Sequence, residues 1–276
     1  MHTRAEREEG DRILVVVPTY NEAGNITSVT TRLRAAVPGA DVLIADDGSP
    51  DGTGRIADEL AESDERVHVL HRPGKRGLGA AYVAGFWWGI ERGYDVLVEM
   101  DADGSHRPEE LPRLLAALDA GADVALGSRW VEGGSVVNWP RSRQWLSRGG
   151  SAYSRWLLGL PHRDVTGGYR ALRARVVAGL GLDAIRSQGY CFQIDLLRRA
   201  SARGASITEV PITFVEREIG ASKMNRAIVV EAVWRVAVWG TLRRIGREDG
   251  VSRGSGGPRR PRRGGRRPRG GARPGR

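Results

Sequence analysis

Val96-Leu97-Val98-Glu99-Met100-Asp101-Ala102-Asp103 is the stretch from which the fold is read. A short, nearly continuous apolar run suits a strand covered on both faces. Two carboxylates follow at its carboxyl end. Separated by one residue, they can share one hard cation such as Mg2+ or Mn2+, which takes oxygen ligands and keeps positions open for phosphate oxygens. A helix N-cap pair ahead of Pro108 is the alternative use of the same residues.

The same design recurs on either side. Apolar residues 13–17 lead into Pro18-Thr19-Tyr20-Asn21-Glu22, and residues 41–45 into Asp46-Asp47-Gly48-Ser49. Further strands are expected at 67–70 and 124–126. Helical patterns fall between them at 25–36, 51–63, 77–92 and 108–120. This alternation predicts an α/β fold: one domain with a mostly parallel sheet flanked by helices. In such sheets the ligand crevice lies beyond the carboxyl ends of the strands. The polar clusters after the first, second and fourth strands are therefore expected to converge on one cleft. Singly, each is compatible with turn chemistry; together, three acidic strand ends point to a nucleotide site. Tyr20 can face a base, and the carboxylates can accept from ribose or base N–H groups.

The second half is less regular. Helices are expected at 141–158, carrying Trp145, Tyr153 and Trp156, and at 189–203. A single strand is expected at 207–215, with Pro211 favouring an edge or a bulge. A strongly apolar helix at 227–245 packs into the core, or else lies in a membrane interface with Trp234 and Trp239 at headgroup level. The glycines of 77–81 suit close helix packing. Residues 73–76 form a basic lip, His106 near the acidic pair is a supporting or surface histidine in preference to a metal ligand, and Cys191 is a small buried residue.

Composition bounds the rest. The chain has 276 residues, 40% of them hydrophobic, enough for one large domain and a tail. One cysteine allows neither a disulfide framework nor a cysteine-based zinc site within the chain. No apolar run reaches the ~20 residues that span a bilayer. The net charge of +10 resides in residues 251–276, which hold ten arginines and no acid. The preceding body is neutral by count, which argues against a nucleic-acid binder. The domain plan is thus a flexible 1–11, a folded 12–246, and a disordered Arg/Gly/Pro-rich tail over 247–276. The tail would be drawn to anionic lipid at ~1 kcal/mol per basic residue.

Pro18 to Glu22, Asp46 to Ser49 and Asp101 to Asp103 resemble the family 2 inverting glycosyltransferases of GT-A, Rossmann-like fold. Later segments narrow the resemblance: Gly127-Ser128-Arg129, Asn138-Trp139-Pro140, Asp164 through Arg170, Gly189 through Gln193, and Arg217 with Ser222-Lys223-Met224. These are similar to the polyprenol- and dolichol-phosphate mannosyltransferases over residues 12–245.

The resemblance implies transfer of mannose from GDP-mannose to a polyprenyl phosphate with inversion. It implies that Pro18, Tyr20, Glu22, Ala45 and Asp47 hold the nucleoside. Asp101, Ala102 and Asp103 would hold the diphosphate and a Mg2+ or Mn2+ ion, with Ser105 as a further metal ligand or acting through water. Arg129, Arg217 and Lys223 would contact phosphates, and Arg143 with Ser147 would seat the acceptor phosphate. Asp101, Asp103, Arg129, Arg143 and Ser147 are the expected catalytic set. The expected setting is cytoplasmic, at the inner face of the membrane, with a separate anchor protein as a possible partner. A polyprenyl-phosphate glucosyltransferase is the same-fold rival. A nicotinamide dehydrogenase lacks support because no glycine fingerprint follows the first strand.

Overall fold

The computed structural model describes residues 10–185, 189–217 and 226–245. β1 (Ile13–Thr19), β2 (Asp41–Asp46), β3 (Val67–His71) and β4 (Val96–Glu99) alternate with α1 (Ile26–Ala36), α2 (Thr53–Ser63) and α3 (Leu78–Glu91). A 3-10 turn, Pro108–Glu110, opens α4 (Leu111–Asp119), and β5 (Val124–Ser128) follows. The second half contains β6 (Ser135–Val137), α5 (Arg141–Leu158), β7 (Arg170–Arg173) and α6 (Ala174–Gly179). It closes with α7 (Gly189–Ala202), β8 (Ile207–Pro211), β9 (Thr213–Val215) and α8 (Arg226–Arg244).

The main sheet runs β3-β2-β1-β4-β7-β5-β8. It is parallel except at β7, which is antiparallel to both β4 and β5. β6 and β9 form a separate parallel pair. Alternate side chains of β1 face opposite sides, so two cores form. Val15 and Val17 pack with α1 and α4, while Leu14 and Val16 pack with α3 and α7. A third cluster joins α5, α7 and α8 around Leu158, Leu197, Val236 and Trp239.

The helix-covered, mostly parallel sheet read from the sequence is the one observed. Three local expectations change. The strand expected at 13–17 runs on through Pro18, opposite Ala45 of β2, to Thr19, opposite Asp46. Proline is tolerated because even-numbered residues of β1 bond toward β4: Val16 O accepts from Met100 N–H, and β4 pairing reaches only Glu99. Its missing donor therefore faces a side the ladder has already left.

The single strand expected at 207–215 is two strands in different sheets. Pro211 closes β8 at the edge of the main sheet, and Thr213 starts β9 in the small one. Residues 170–173 form an unanticipated central strand. An arginine at a buried strand position hides the apolar signal, and Arg170 is tolerated there only through partners described below.

Candidate active site

Parallel register sets the carboxyl ends of β1, β2 and β4 on one rim: Thr19 pairs with Asp46, and Val16 with Glu99. Adjacent strands lie about 4.8 Å apart, so the segments that follow are close neighbours. They are also stitched together. Asp47 N–H donates to Thr19 O at 3.0 Å, and Asn21 N–H to Ser49 Oγ at 3.0 Å. Asn21 turns the chain with a positive φ of 58°, a conformation asparagine tolerates better than most residues. Glu22 is buried, its N–H donating to Thr53 Oγ1 and its Oε2 accepting from Asn25 Nδ2 at 2.8 Å. Pro18, Tyr20, Glu22, Ala45 and Asp47 thus come together on the β1–β2 part of the rim.

Two basic neighbours there were not in the sequence-derived set. Arg72 pairs with Asp47, which also accepts from Arg76 N–H at 3.3 Å. Lys75 Nζ sits 4.3 Å from the centre of the Tyr20 ring. The basic lip of residues 73–76 therefore leans onto the β1–β2 rim.

Beyond β4 the chain turns at Gly104, with φ of 77°. Asp101 Oδ1 accepts from Tyr82 Oη at 3.2 Å. Its backbone N–H donates to His106 Nδ1 at 3.0 Å. His106 is fully buried between Tyr169 and Phe214, so it supports the loop from beneath and is not a surface residue. Burial lowers its pKa against the pull of Asp101 and Asp103, leaving a neutral ring that accepts at Nδ1. Asp103 Oδ1 accepts from Ser105 N–H at 3.0 Å and from its hydroxyl. Asp103 Oδ2 lies 3.1 Å from Arg217 Nη1.

Burial, and then the like charge of Asp103, raise the Asp101 carboxyl above its ordinary range. Burial pushes Asp103 upward too, but the Ser105 hydrogen bond and the Arg217 charge outweigh it and hold Asp103 low. Among the described residues no group of three or more His, Cys, Asp or Glu could by itself hold a metal ion. Two carboxylates and a hydroxyl nonetheless fit a hard cation that completes its shell with phosphate oxygens and water. Arg217 offsets part of their negative charge from 3.1 Å away.

Beneath this loop lie buried charges. Glu99 is fully buried, with no hydrogen bond to either carboxylate oxygen among the described residues, and Arg170 Nε stands 3.9 Å away. Burial pushes the Glu99 carboxyl up to about 8. Arg170 donates to the carbonyls of Gln193 at 2.8 Å and Val165 at 3.2 Å, tying α7 and the preceding loop to β7. Arg129 is also buried. Its Nε and Nη2 engage Asp164 at 2.7 Å each, and Nη2 reaches Thr166 Oγ1 at 3.0 Å. Its guanidinium lies 5.3 Å from the Trp139 ring and 5.4 Å from Phe214. Those two rings meet edge-on at 5.1 Å and connect His106 to the next feature.

That feature is an apolar cavity of about 250 Å³ between α5, α7 and α8, lined by Leu146, Tyr153, Ile194 and Val233 among others. Trp139, Arg143, Ser147 and Thr166 supply its polar side. Ser147 Oγ and Trp139 Nε1 are buried without a hydrogen-bond partner among the described residues. Arg143 stacks 4.0 Å over Trp139 and pairs with Glu216. The cavity contains none of the acidic rim residues, so the site has two parts: an acidic rim and an apolar groove, joined through Trp139, Phe214 and Thr166.

Around the groove α5 and α8 expose large apolar side chains: Trp145 at 75%, Trp156 at 71% and Trp234 at 70%, with Leu146, Val230 and Val233 beside them. α8 therefore packs Val236 and Trp239 inward and turns a second apolar face outward. Among the described residues no helix is long and apolar enough to cross a membrane. Lys223, residues 1–9 and the basic tail lie outside the described residues.

Residues 14–181 match the profile described as Glycosyl transferase family 2. The chain is 55% identical over 265 residues to the polyprenol monophosphomannose synthase of Mycolicibacterium smegmatis, covering 92% of this chain and 100% of that protein. It is 58% identical over 233 residues to the undecaprenyl-phosphate mannosyltransferase of Micrococcus luteus, covering 84% of this chain and 96% of that one. Among solved structures, glucosyl-3-phosphoglycerate synthase from Mycobacterium tuberculosis, in complex with Mn2+, UDP and glucosyl-3-phosphoglycerate, superposes with a TM-score of 0.58. It is 22% identical, over 88% of this chain and 83% of that one, a likeness of GT-A fold.

Proposed function

The chain belongs to glycosyl transferase family 2, among its polyprenyl-phosphate mannosyltransferases, and from that premise we propose that it transfers mannose from GDP-mannose to a polyprenyl phosphate with inversion at the sugar carbon. The observation that carries the reading is the pairing of two unlike subsites. An acidic rim able to hold a cation–diphosphate group adjoins an apolar groove whose polar side carries Arg143, Ser147 and Trp139. A lipid phosphate needs both an apolar channel for its chain and donors for its head.

In this reading Tyr20, Glu22 and Asp47 receive the nucleoside beside Pro18 and Ala45. Asp101 and Asp103, with Ser105, hold a divalent cation, whose chemistry when bound is to offset the charge of the departing diphosphate. Arg143 and Ser147 orient the acceptor phosphate. A phosphate monoester has its second pKa near ~6, so it attacks already ionised and needs no strong general base. The protein's task is to align two anionic phosphates and offset their repulsion. Arginine serves this with its planar bidentate fork. Arg129, whose Nε and Nη2 engage Asp164 and Thr166, holds the groove side in place. Trp145, Trp156 and Trp234 rest at the headgroup level of the membrane that carries the acceptor, and the basic tail adds attraction to anionic lipid.

The test is turnover of GDP-mannose and UDP-glucose with a short polyprenyl phosphate, with and without EDTA. Transfer from GDP-mannose alone, abolished by EDTA and giving the β-anomer by NMR, is the expected result. Preference for UDP-glucose would establish the glucosyltransferase rival, and an α-linked product would exclude single displacement.

A further inference from the structure

Glu216 and Arg217 are adjacent in sequence yet pair with opposite parts of the site. Arg217 Nη1 lies 3.1 Å from Asp103 Oδ2 on the acidic rim. Glu216 pairs with Arg143 of α5, at the polar side of the apolar groove. Successive side chains of an extended segment point to opposite sides, so two neighbours can reach two places at once. The backbone repeats the pattern: Val215 N–H donates to Ser105 O at 3.2 Å, and Glu216 N–H to Val137 O at 3.0 Å. Residues 215–217 therefore bridge the Asp101–Ser105 loop to β6, and through Trp139 to the start of α5.

Both ion pairs occupy groups that the proposed substrates require. A cation held by Asp103 competes with Arg217 for the same carboxylate. An acceptor phosphate held by Arg143 competes with Glu216 for the same guanidinium, and the Glu216 carboxylate repels that phosphate. We propose that Glu216 is a positioning residue that couples donor to acceptor binding: it holds Arg143 while Arg217 rests on Asp103, and yields it when cation and diphosphate draw Arg217 away. Arg217 then turns from a carboxylate to the diphosphate oxygens. Because 216 and 217 share a peptide unit, the proposed turn of Arg217 moves Glu216 as well, and Arg143 is freed for the acceptor. The order this imposes, donor before acceptor, rests on the reading of the two subsites given above.

The experiment uses the full chain, with farnesyl phosphate and GDP–Mn2+ as probes, and reads binding by calorimetry without turnover. In the unaltered protein, saturating GDP–Mn2+ tightens farnesyl phosphate binding about fivefold or more, and farnesyl phosphate tightens GDP–Mn2+ by the same factor. In Glu216→Gln, farnesyl phosphate binds more tightly without GDP–Mn2+, and the ratio between the two conditions falls to near unity. Far-UV circular dichroism and retained GDP–Mn2+ binding establish that the variant is folded; if it is not, the unaltered protein alone decides. Equal farnesyl phosphate affinity with and without GDP–Mn2+ in the unaltered protein would overturn the coupling. So would an undiminished ratio in Glu216→Gln. Failure of farnesyl phosphate to bind under any condition would overturn the acceptor reading itself, and the coupling with it.

Discussion

Asp164 meets Arg129 side-on, Nε donating to Oδ2 and Nη2 to Oδ1 at 2.7 Å each, with both side chains buried. Burial alone would raise the Asp164 carboxyl, but the Arg129 charge and hydrogen bonds override it and set the folded pKa below the ordinary value. The pair's contribution to stability is therefore complete above the unfolded value of about 3.9 and is lost as pH falls through the folded one. Asp164→Asn strands a buried guanidinium, and breaking such a pair costs about 3–5 kcal/mol. Urea denaturation at pH 7 should show a loss of that size, and a pH series should show a shallower acid limb in the variant. The double change Asp164→Leu with Arg129→Met should cost less than the single one, since it leaves no unpaired charge.

Asp103 is the carboxylate nearest Arg217 and Ser105, and its loss removes half of the paired acidic ligands. Asp103→Asn should weaken Mn2+ binding, read by the electron paramagnetic resonance signal of the free ion. It should also lower transfer by about 10²-fold or more, the scale on which one electrostatic stabiliser acts. Unaltered Mn2+ affinity would remove Asp103 from the metal site.

α3 lies close against β1 because Gly85 has no side chain. A Cβ there would meet both methyls of Val16, Cγ2 at 3.1 Å and Cγ1 closer. Val16 is fully buried and stiff at χ1, so it cannot swing aside. Alanine gains about 1 kcal/mol of helix propensity over glycine, but overpacking costs about 1–3 kcal/mol. Gly85→Ala is therefore expected to lower the melting temperature, and adding Val16→Ala should recover part of the loss.

The exposed tryptophans and the arginine tail act on a membrane by different forces. Replacing Trp145, Trp156 and Trp234 by serine should reduce co-sedimentation with phosphatidylglycerol vesicles at every salt concentration, because the lost term is apolar. Truncation after Gly250 should remove only a salt-sensitive part, at ~1 kcal/mol per basic residue near the surface. Vesicle binding unchanged by either alteration would detach this face from the membrane.

Local sequence determined the frame. Apolar runs of strand length, each ending in an acidic or polar cluster, specify a sheet whose ligand rim carries Glu22, Asp47 and Asp101, because strand length, helix period and strand-end chemistry are written in neighbouring residues. The same segments sufficed for the family. Tertiary structure decided what each charge touches. Arg129 with Asp164 and Arg143 with Glu216 are 35 and 73 residues apart, and no periodicity signals which carboxylate a given arginine will meet. β7 carries no local signal for the same reason: Arg170 reads as a surface residue until the fold brings Glu99 and the carbonyls of Val165 and Gln193 around it. A buried charge is tolerable only with its partners in place, and those partners are chosen by chain crossings that local patterning does not record.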